Sequence, residues 1–200
     1  MADEVRIGVL ALQGDFAAHS EALRAVGATP VEVRTPEDLR TVDGLVVPGG
    51  ESTTMLKLLD IENLFEPIRD FGREKPIFGT CAGAILLAKE VVNPVQRSLG
   101  LMDLTVERNA YGRQIDSRIA KIEIDGHTAE AVFIRAPVIR RAGSEVSVLA
   151  TYQNAPVLAS EGKHMVATFH PELSNNNVVH AQFVDAVRKS RLAEMAQSTT

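Results

Sequence analysis

Apolar and polar positions follow two different rhythms along this chain, and the change falls near Pro94. Before it, short and nearly continuous apolar runs are spaced by stretches whose apolar residues recur every three to four positions. Residues 5–12 form the first run; 29–33, 44–47 and 77–78 form the next three. Between them, 15–26 carries Phe16, Leu23 and Val26 on one helical face and stops at Gly27. Residues 36–39 read as a short turn or helical fragment. Met55, Leu56, Leu58 and Leu59 mark a helix capped by Ser52 or Thr53. Residues 65–71 are another helical segment, and 82–90 a helix directly after Cys81.

Strands this apolar are buried on both faces, so four β–α units predict a parallel sheet covered by helices on each side. After Pro94 the runs shorten and turn residues multiply. Strands at 104–107, 119–124 and 131–134 are separated by Gly112, Asp125-Gly126 and Pro137, and Asp125-Gly126 predicts a hairpin. Residues 146–152 and 156–159 flank Gln153-Asn154-Ala155, a second hairpin. Residues 166–169 return to core-strand character, and 178–187 form a helix with Val179, Phe183, Val184 and Val187 on one face. The expected fold class is three-layer α/β: a mostly parallel central sheet, helices on both faces, and antiparallel additions in the second half. No repeat or low-complexity linker interrupts it. A single domain over 1–190 is expected, with 191–200 a flexible tail.

Composition narrows the function classes. At 200 residues and 45% hydrophobic, the chain can fill one core. Twenty-six acidic residues against 21 basic ones give a formal charge of -5 with no basic segment, which argues against nucleic acid. No apolar run reaches about 18 residues, so no membrane span is expected. The acidic Met1-Ala2-Asp3-Glu4 start lacks the features of a signal peptide. One cysteine cannot form an internal disulfide, and a free thiol fits a cytoplasmic setting. The five histidines have no metal-ligating spacing, so no metal is expected. Gln13-Gly14-Asp15 offers one glycine where a dinucleotide loop has three, and no cofactor is expected.

That one cysteine stands at a place suited to chemistry. Cys81 follows the apolar run Pro76-Ile77-Phe78-Gly79-Thr80 and opens Ala82-Gly83-Ala84-Ile85-Leu86-Leu87. A free cysteine is commonly just a small buried hydrophobe. Here Gly79 and Gly83 flank it two residues away on each side, which permits a sharp strand-to-helix bend and close approach of other segments. A thiol at such a bend is favoured as thiolate by unpaired amides, which can also receive an oxyanion. Phe169-His170-Pro171-Glu172 follows a later strand. In extended backbone, residues two apart point the same way, so Glu172 is placed to orient His170; the alternative is a solvated loop. Pro48-Gly49-Gly50-Glu51-Ser52 follows the third strand and is either a capped turn or a nest of amides for an anion. Arg108 and Arg135 lie in or beside apolar segments, where a guanidinium is costly unless its fork is used. Each either binds a substrate carboxylate or pairs with a glutamate of the fold.

With these residues in view, the chain resembles the triad (class I) glutamine amidotransferases and, within them, the glutaminase subunits of pyridoxal 5'-phosphate synthase. The matching stretches are Gly8-Val9-Leu10-Ala11-Leu12-Gln13-Gly14, Pro48-Gly49-Gly50-Glu51-Ser52-Thr53-Thr54-Met55, Phe78-Gly79-Thr80-Cys81-Ala82-Gly83, Arg108-Asn109-Ala110-Tyr111-Gly112-Arg113-Gln114, Phe133-Ile134-Arg135-Ala136-Pro137 and Thr168-Phe169-His170-Pro171-Glu172-Leu173. The resemblance implies Cys81 as nucleophile, His170 as its base and Glu172 as the orienting carboxylate. It implies L-glutamine as substrate, contacted by Gly50, Glu51, Ser52, Arg108, Ile134 and Arg135. The oxyanion hole would draw on Gly49, Gly50 and Ala82. It further implies that ammonia passes to a (β/α)8-barrel synthase subunit, in a dodecameric core carrying up to twelve glutaminase subunits, and that activity is low until docking. Ser174-Asn175-Asn176-Asn177 departs from the family's usual turn. Two other readings compete: a cysteine hydrolase of the intracellular-protease group, and a catalytically silent regulatory subunit. The His170-Pro171-Glu172 spacing and the Gly-Gly-Glu-Ser turn argue against the first. The intact Cys81, His170 and Glu172 argue against the second.

Overall fold

The four apolar runs of the first half become β1 (Arg6–Leu10), β2 (Thr29–Val33), β3 (Gly44–Val47) and β4 (Ile77–Thr80). They are the parallel part of a computed structural model that describes residues 4–109 and 117–197. Ala110 to Gln114 of the Arg-Asn-Ala-Tyr-Gly-Arg-Gln stretch, with the Gly112 turn, lie outside the described residues, as do Met1, Ala2 and Asp3 and the last three of the tail. The intervening segments become α1 (Phe16–Ala25), α2 (Pro36–Leu39), α3 (Ser52–Ile61), α4 (Phe65–Glu74) and α5 (Ala82–Leu87).

The second half supplies β5 (Ala88–Val92), β6 (Met102–Glu107), β7 (Arg118–Ile124), β8 (His127–Phe133), β9 (Val138–Ala142), β10 (Ser147–Tyr152), β11 (Ala155–Glu161), β12 (His164–Ala167) and α6 (Val178–Gln197). The central sheet runs β10-β11-β12-β4-β3-β1-β2. The run from β12 to β2 is parallel throughout; β10 and β11 are antiparallel. Side-chain alternation sends residues of one strand into two cores. Leu45, Val47 and Ile77 pack with Met55, Leu59 and Ile68 of α3 and α4. Val46 and Phe78 face the other way, onto Leu23 of α1 and Phe183, Val184 and Val187 of α6. This is the expected three-layer α/β arrangement, with helices on both faces of the sheet.

Both predicted hairpins are present. Ile124 pairs with His127 across Asp125 and Gly126, whose φ of 49° and 76° suit a two-residue primed turn. Four expectations differ. The helix after Cys81 ends at Leu87 rather than continuing to Glu90. The chain returning at Leu99 and Leu101 donates its amides to the carbonyls of Leu86 and Leu87, and residues 88–92 then pair with β6. The apolar run Ala84-Ile85-Leu86-Leu87-Ala88 suits either state, so this tertiary pairing decides. Strand β9, after Pro137, was not anticipated; it joins β5 and β6 in a separate three-stranded sheet. Glu51, not Ser52 or Thr53, caps α3. Finally, α6 runs to Gln197, past both Val187 and position 190. Arg191 anchors this extension by donating to the Glu4 carbonyl at 2.9 Å and to Asp43 at 3.3 Å. Among the described residues no helix is long and apolar enough to cross a membrane.

Candidate active site

Segments leaving the carboxyl ends of β1, β3, β4 and β12 converge over a cavity of about 510 Å³. Open parallel sheets place their sites at this edge because loops there leave the layer together. Cys81 and His170 line the cavity, and so do Gly50, Glu51, Ser52, Arg108, Ile134 and Arg135. Residues far apart in sequence are thus brought to one place. Gln13, Gly14, Ile85 and Asn109 also line it and were not singled out beforehand as site residues. The signal for Gln13 was its position just past β1, the same rule that located Cys81 and His170.

Cys81 sits at φ 49° and ψ -103°, a conformation that side chains rarely adopt. Such strain persists only where surrounding structure imposes it. Here a Cβ on Gly79 would lie 2.5 Å from the Gly83 carbonyl carbon, and one on Gly83 would lie 2.1 Å from the Val47 carbonyl oxygen. The flanking glycines therefore let β4, α5 and β3 touch through backbone. The Cys81 amide donates to Ala167 O at 2.8 Å, tying the bend to β12. The thiol is buried, 4.0 Å from the Ile134 carbonyl oxygen.

His170 follows β12, and its amide donates to Val132 O at 2.8 Å. Its Nδ1 lies 2.8 Å from Glu172 Oε1. The two side chains meet across a 3₁₀ turn, Pro171–Leu173, and not along the extended segment that the sequence suggested. Pro171 fixes φ for that turn. Burial pushes the His170 imidazole down, but its hydrogen bonds to Cys81 and Glu172 and their charges outweigh this and carry it up to about 10. The proton-bearing imidazolium is thereby favoured beside the sulfur. The Glu172 side chain is only 1% exposed, so its charge acts on His170 without intervening solvent.

Glu51 accepts from the amides of Thr53 at 3.0 Å and Thr54 at 2.7 Å. Ser52, already in the first turn, donates its hydroxyl to Gln96. Arg108 reaches Glu51 at 3.3 Å and Thr53 Oγ1 at 2.8 Å, so in this state it pairs with a glutamate of the fold. Arg135 is exposed on the cavity's edge. Burial raises the Glu51 carboxyl, but the Thr53 and Thr54 bonds prevail and hold it at about 2 against an ordinary 4.5. A depressed carboxyl contributes stability above its unfolded value and loses it as pH falls through the folded one. Glu51→Ala should therefore cost about 1 kcal/mol near neutrality, the usual worth of a cap. That difference should persist above pH 4.5 and shrink towards pH 2 in denaturant melts.

The fold and this convergence of cysteine, histidine and carboxylate place the chain among the glutamine amidotransferases. It belongs to the SNO glutamine amidotransferase family, whose profile matches residues 9–189. It is 58% identical to the pyridoxal 5'-phosphate synthase subunit PdxT of Solibacter usitatus over 90% of this chain and 97% of that protein. The subunit of the same name from Thermosipho africanus is 50% identical over 92% of this chain and all of that one. Among solved structures, a glutamine amidotransferase superposes with a TM-score of 0.85 at 46% identity, covering 90% of this chain and 98% of that one. Another, from Thermotoga maritima, has a TM-score of 0.60 at 15% identity, covering 98% and 86%, and shares the fold.

Proposed function

We propose that this protein is a glutaminase that hydrolyses L-glutamine to L-glutamate and ammonia for pyridoxal 5'-phosphate synthesis, with Cys81, His170 and Glu172 as its triad. The observation that carries this reading is the strained Cys81 bend, which meets an imidazole whose other side is bonded to a buried carboxylate. The family and the names of its relatives supply the substrate and the product's use. Cys81 Sγ attacks the carboxamide carbon of glutamine. The carbon–nitrogen bond breaks as His170 gives a proton to the departing ammonia, leaving a γ-glutamyl thioester. Water then loses a proton to His170 and attacks the thioester, releasing glutamate and restoring the thiol.

In this reading the oxyanion is received by the amide of Ala82 and one from the Gly49-Gly50 turn. Each such donor is worth about 3 kcal/mol, because it meets charge that exists only in the transition state. The Gly49 carbonyl oxygen abuts the Gly14 α-carbon, where a Cβ would lie 2.1 Å from it. Peptide planarity sends the Gly50 amide the opposite way, so rotation of this one peptide changes what the turn presents. We take Gly50, Glu51, Ser52, Arg108, Ile134 and Arg135 as the glutamine contacts. The acceptor of ammonia is a (β/α)8-barrel synthase subunit in a twelve-plus-twelve assembly, and the setting is cytoplasmic, where a lone thiol stays reduced.

Ammonia release from glutamine, measured with and without the purified synthase subunit, tests both activity and partner control. At least a tenfold higher rate with the partner is expected, about half the worth of one oxyanion donor. Equal rates in the two conditions would remove the Gly49-Gly50 turn as the point of control. No ammonia in either would remove the glutaminase reading.

A further inference from the structure

Behind Glu172 lies a second group of titratable side chains that the reaction as written does not use. His19 of α1 and His180 of α6 are both fully buried, and His19 Nδ1 is 2.9 Å from His180 Nε2. His19 Nε2 is 3.2 Å from Thr80 Oγ1 and 3.3 Å from Glu172 Oε2. Glu172 Oε1 is taken by His170, whereas Oε2 is buried without an aligned hydrogen bond among the described residues. His180 Nδ1 is likewise buried without a partner. An imidazole held by another imidazole thus stands 3.3 Å from the orphan carboxylate oxygen.

One proton arrangement satisfies these contacts at least cost. A single proton lies between His19 Nδ1 and His180 Nε2. Were His19 to supply it, His19 Nε2 could accept from the Thr80 hydroxyl, but its lone pair would also stand 3.3 Å from the Glu172 carboxylate, and His180 would carry a buried N–H on Nδ1 with nothing among the described residues to receive it. Were His180 to supply it, His19 would carry its proton on Nε2, donating to Thr80 Oγ1 with Glu172 Oε2 3.3 Å away. His180 Nδ1 would then be left as a bare acceptor. An unmade buried donor or acceptor costs about 1–3 kcal/mol, and more when charged, so the second arrangement prevails. Both rings stay neutral: burial, then the charges of His180 and His170, hold His19 far below its ordinary value, and burial brings His180 to about 4.

We propose that His19 is a positioning residue of the active site, its Nε2–H bonded to Thr80 Oγ1 and turned toward the charge of Glu172 Oε2, with its tautomer set by the Nε2–H of His180. With His170 on Oε1 and the positive end of the His19 N–H 3.3 Å from Oε2, the carboxylate is held against rotation, so Oε1 stays aimed at His170. The side chains carrying this support come from α1, β4, the 3₁₀ turn and α6. The proposal rests on the triad reading above but makes a separate prediction about protons.

Two measurements test it. Cys81 is the chain's one thiol, so its alkylation by iodoacetamide reports the Cys81–His170 pair without glutamine. His19→Leu should slow alkylation, and lower kcat with the synthase subunit present, about 10- to 100-fold at unchanged KM. His19→Gln, whose amide nitrogen can stand where Nε2 stood, should restore most of both. Equal losses in the two variants, or no loss in either, would overturn the role. Imidazole ¹⁵N shifts of the unaltered protein decide independently of any variant's folding. Neutral Nε2–H tautomers at both His19 and His180 are expected, and an Nδ1–H on His19 would overturn the proposal. Absent ammonia release by the unaltered protein with its partner would fault the glutaminase reading, while the tautomers would still decide this one.

Discussion

Cys81→Ala should lower ammonia release from glutamine by at least about 10⁴-fold, since no other group can form the thioester. The fold should survive. Alanine keeps the Cβ that Gly49 packs against, and it removes one sulfur from a site already open to a cavity. The bend itself offers a sharper check. Cys81 holds φ 49°, a conformation that costs a residue with a side chain about 1–3 kcal/mol. Cys81→Ala retains that strain and Cys81→Gly relieves it, so the glycine variant should melt at a higher temperature than the alanine variant. Both should be inactive. Thermal melts and ammonia assays on the pair separate the two effects. Residual turnover in Cys81→Ala, or loss of its fold, would return the thiol to the status of a buried hydrophobe.

Gly49→Ala should lower kcat by about 10²-fold or more and cost about 1–3 kcal/mol of stability, the usual cost of overpacking a held site. A Cβ there would stand 2.5 Å from His170 Cε1 and 3.2 Å from Cys81 Cβ, between the two side chains. The imidazole cannot simply retreat, because Nδ1 is bonded to Glu172 at 2.8 Å and the backbone amide to Val132 at 2.8 Å. The ring must rotate away from the sulfur, and alignment is lost. Gly126→Ala is the control. Its Cβ would meet nothing within 4 Å, although φ there is 76°. It should cost about 1 kcal/mol of stability with the rate unchanged. Steady-state kinetics on the two variants make the comparison, and a Gly49→Ala enzyme at full rate would mean that the turn does not abut the reacting pair.

Much of the candidate site, as a set of residues that converge on one cavity, was legible along the chain. Cys81 was found from its place between an apolar strand and a helix, with glycines on both sides. Those glycines do what their spacing implied: they let three backbones meet. His170 and Glu172 were found because they are two residues apart, yet the expected geometry was wrong. A 3₁₀ turn, not extended backbone, brings Nδ1 to Oε1. Glu51 was noticed as part of a turn but not as the cap of α3. A carboxylate there competes with Ser52 and Thr53, and only the occupied hydroxyls of those two residues decide between them.

By itself the sequence determined the elements whose conformation follows from near neighbours. The parallel strands show as unbroken apolar runs because both their faces are buried, and β2 and β3 begin and end where the pattern places them. The hairpin at Asp125-Gly126 shows because its turn needs residues that tolerate positive φ. Tertiary structure alone decided whatever depends on distant partners. Helix α5 stops at Leu87 because a returning segment takes its last carbonyls. His19 and His180 each lie on the apolar stripe of a helix, where a histidine reads as filling. They meet because α1 and α6 pack on the same face of the sheet, 161 residues apart in the chain. Local preference is written residue by residue, whereas a proton shared between two helices exists only once the sheet has set them side by side.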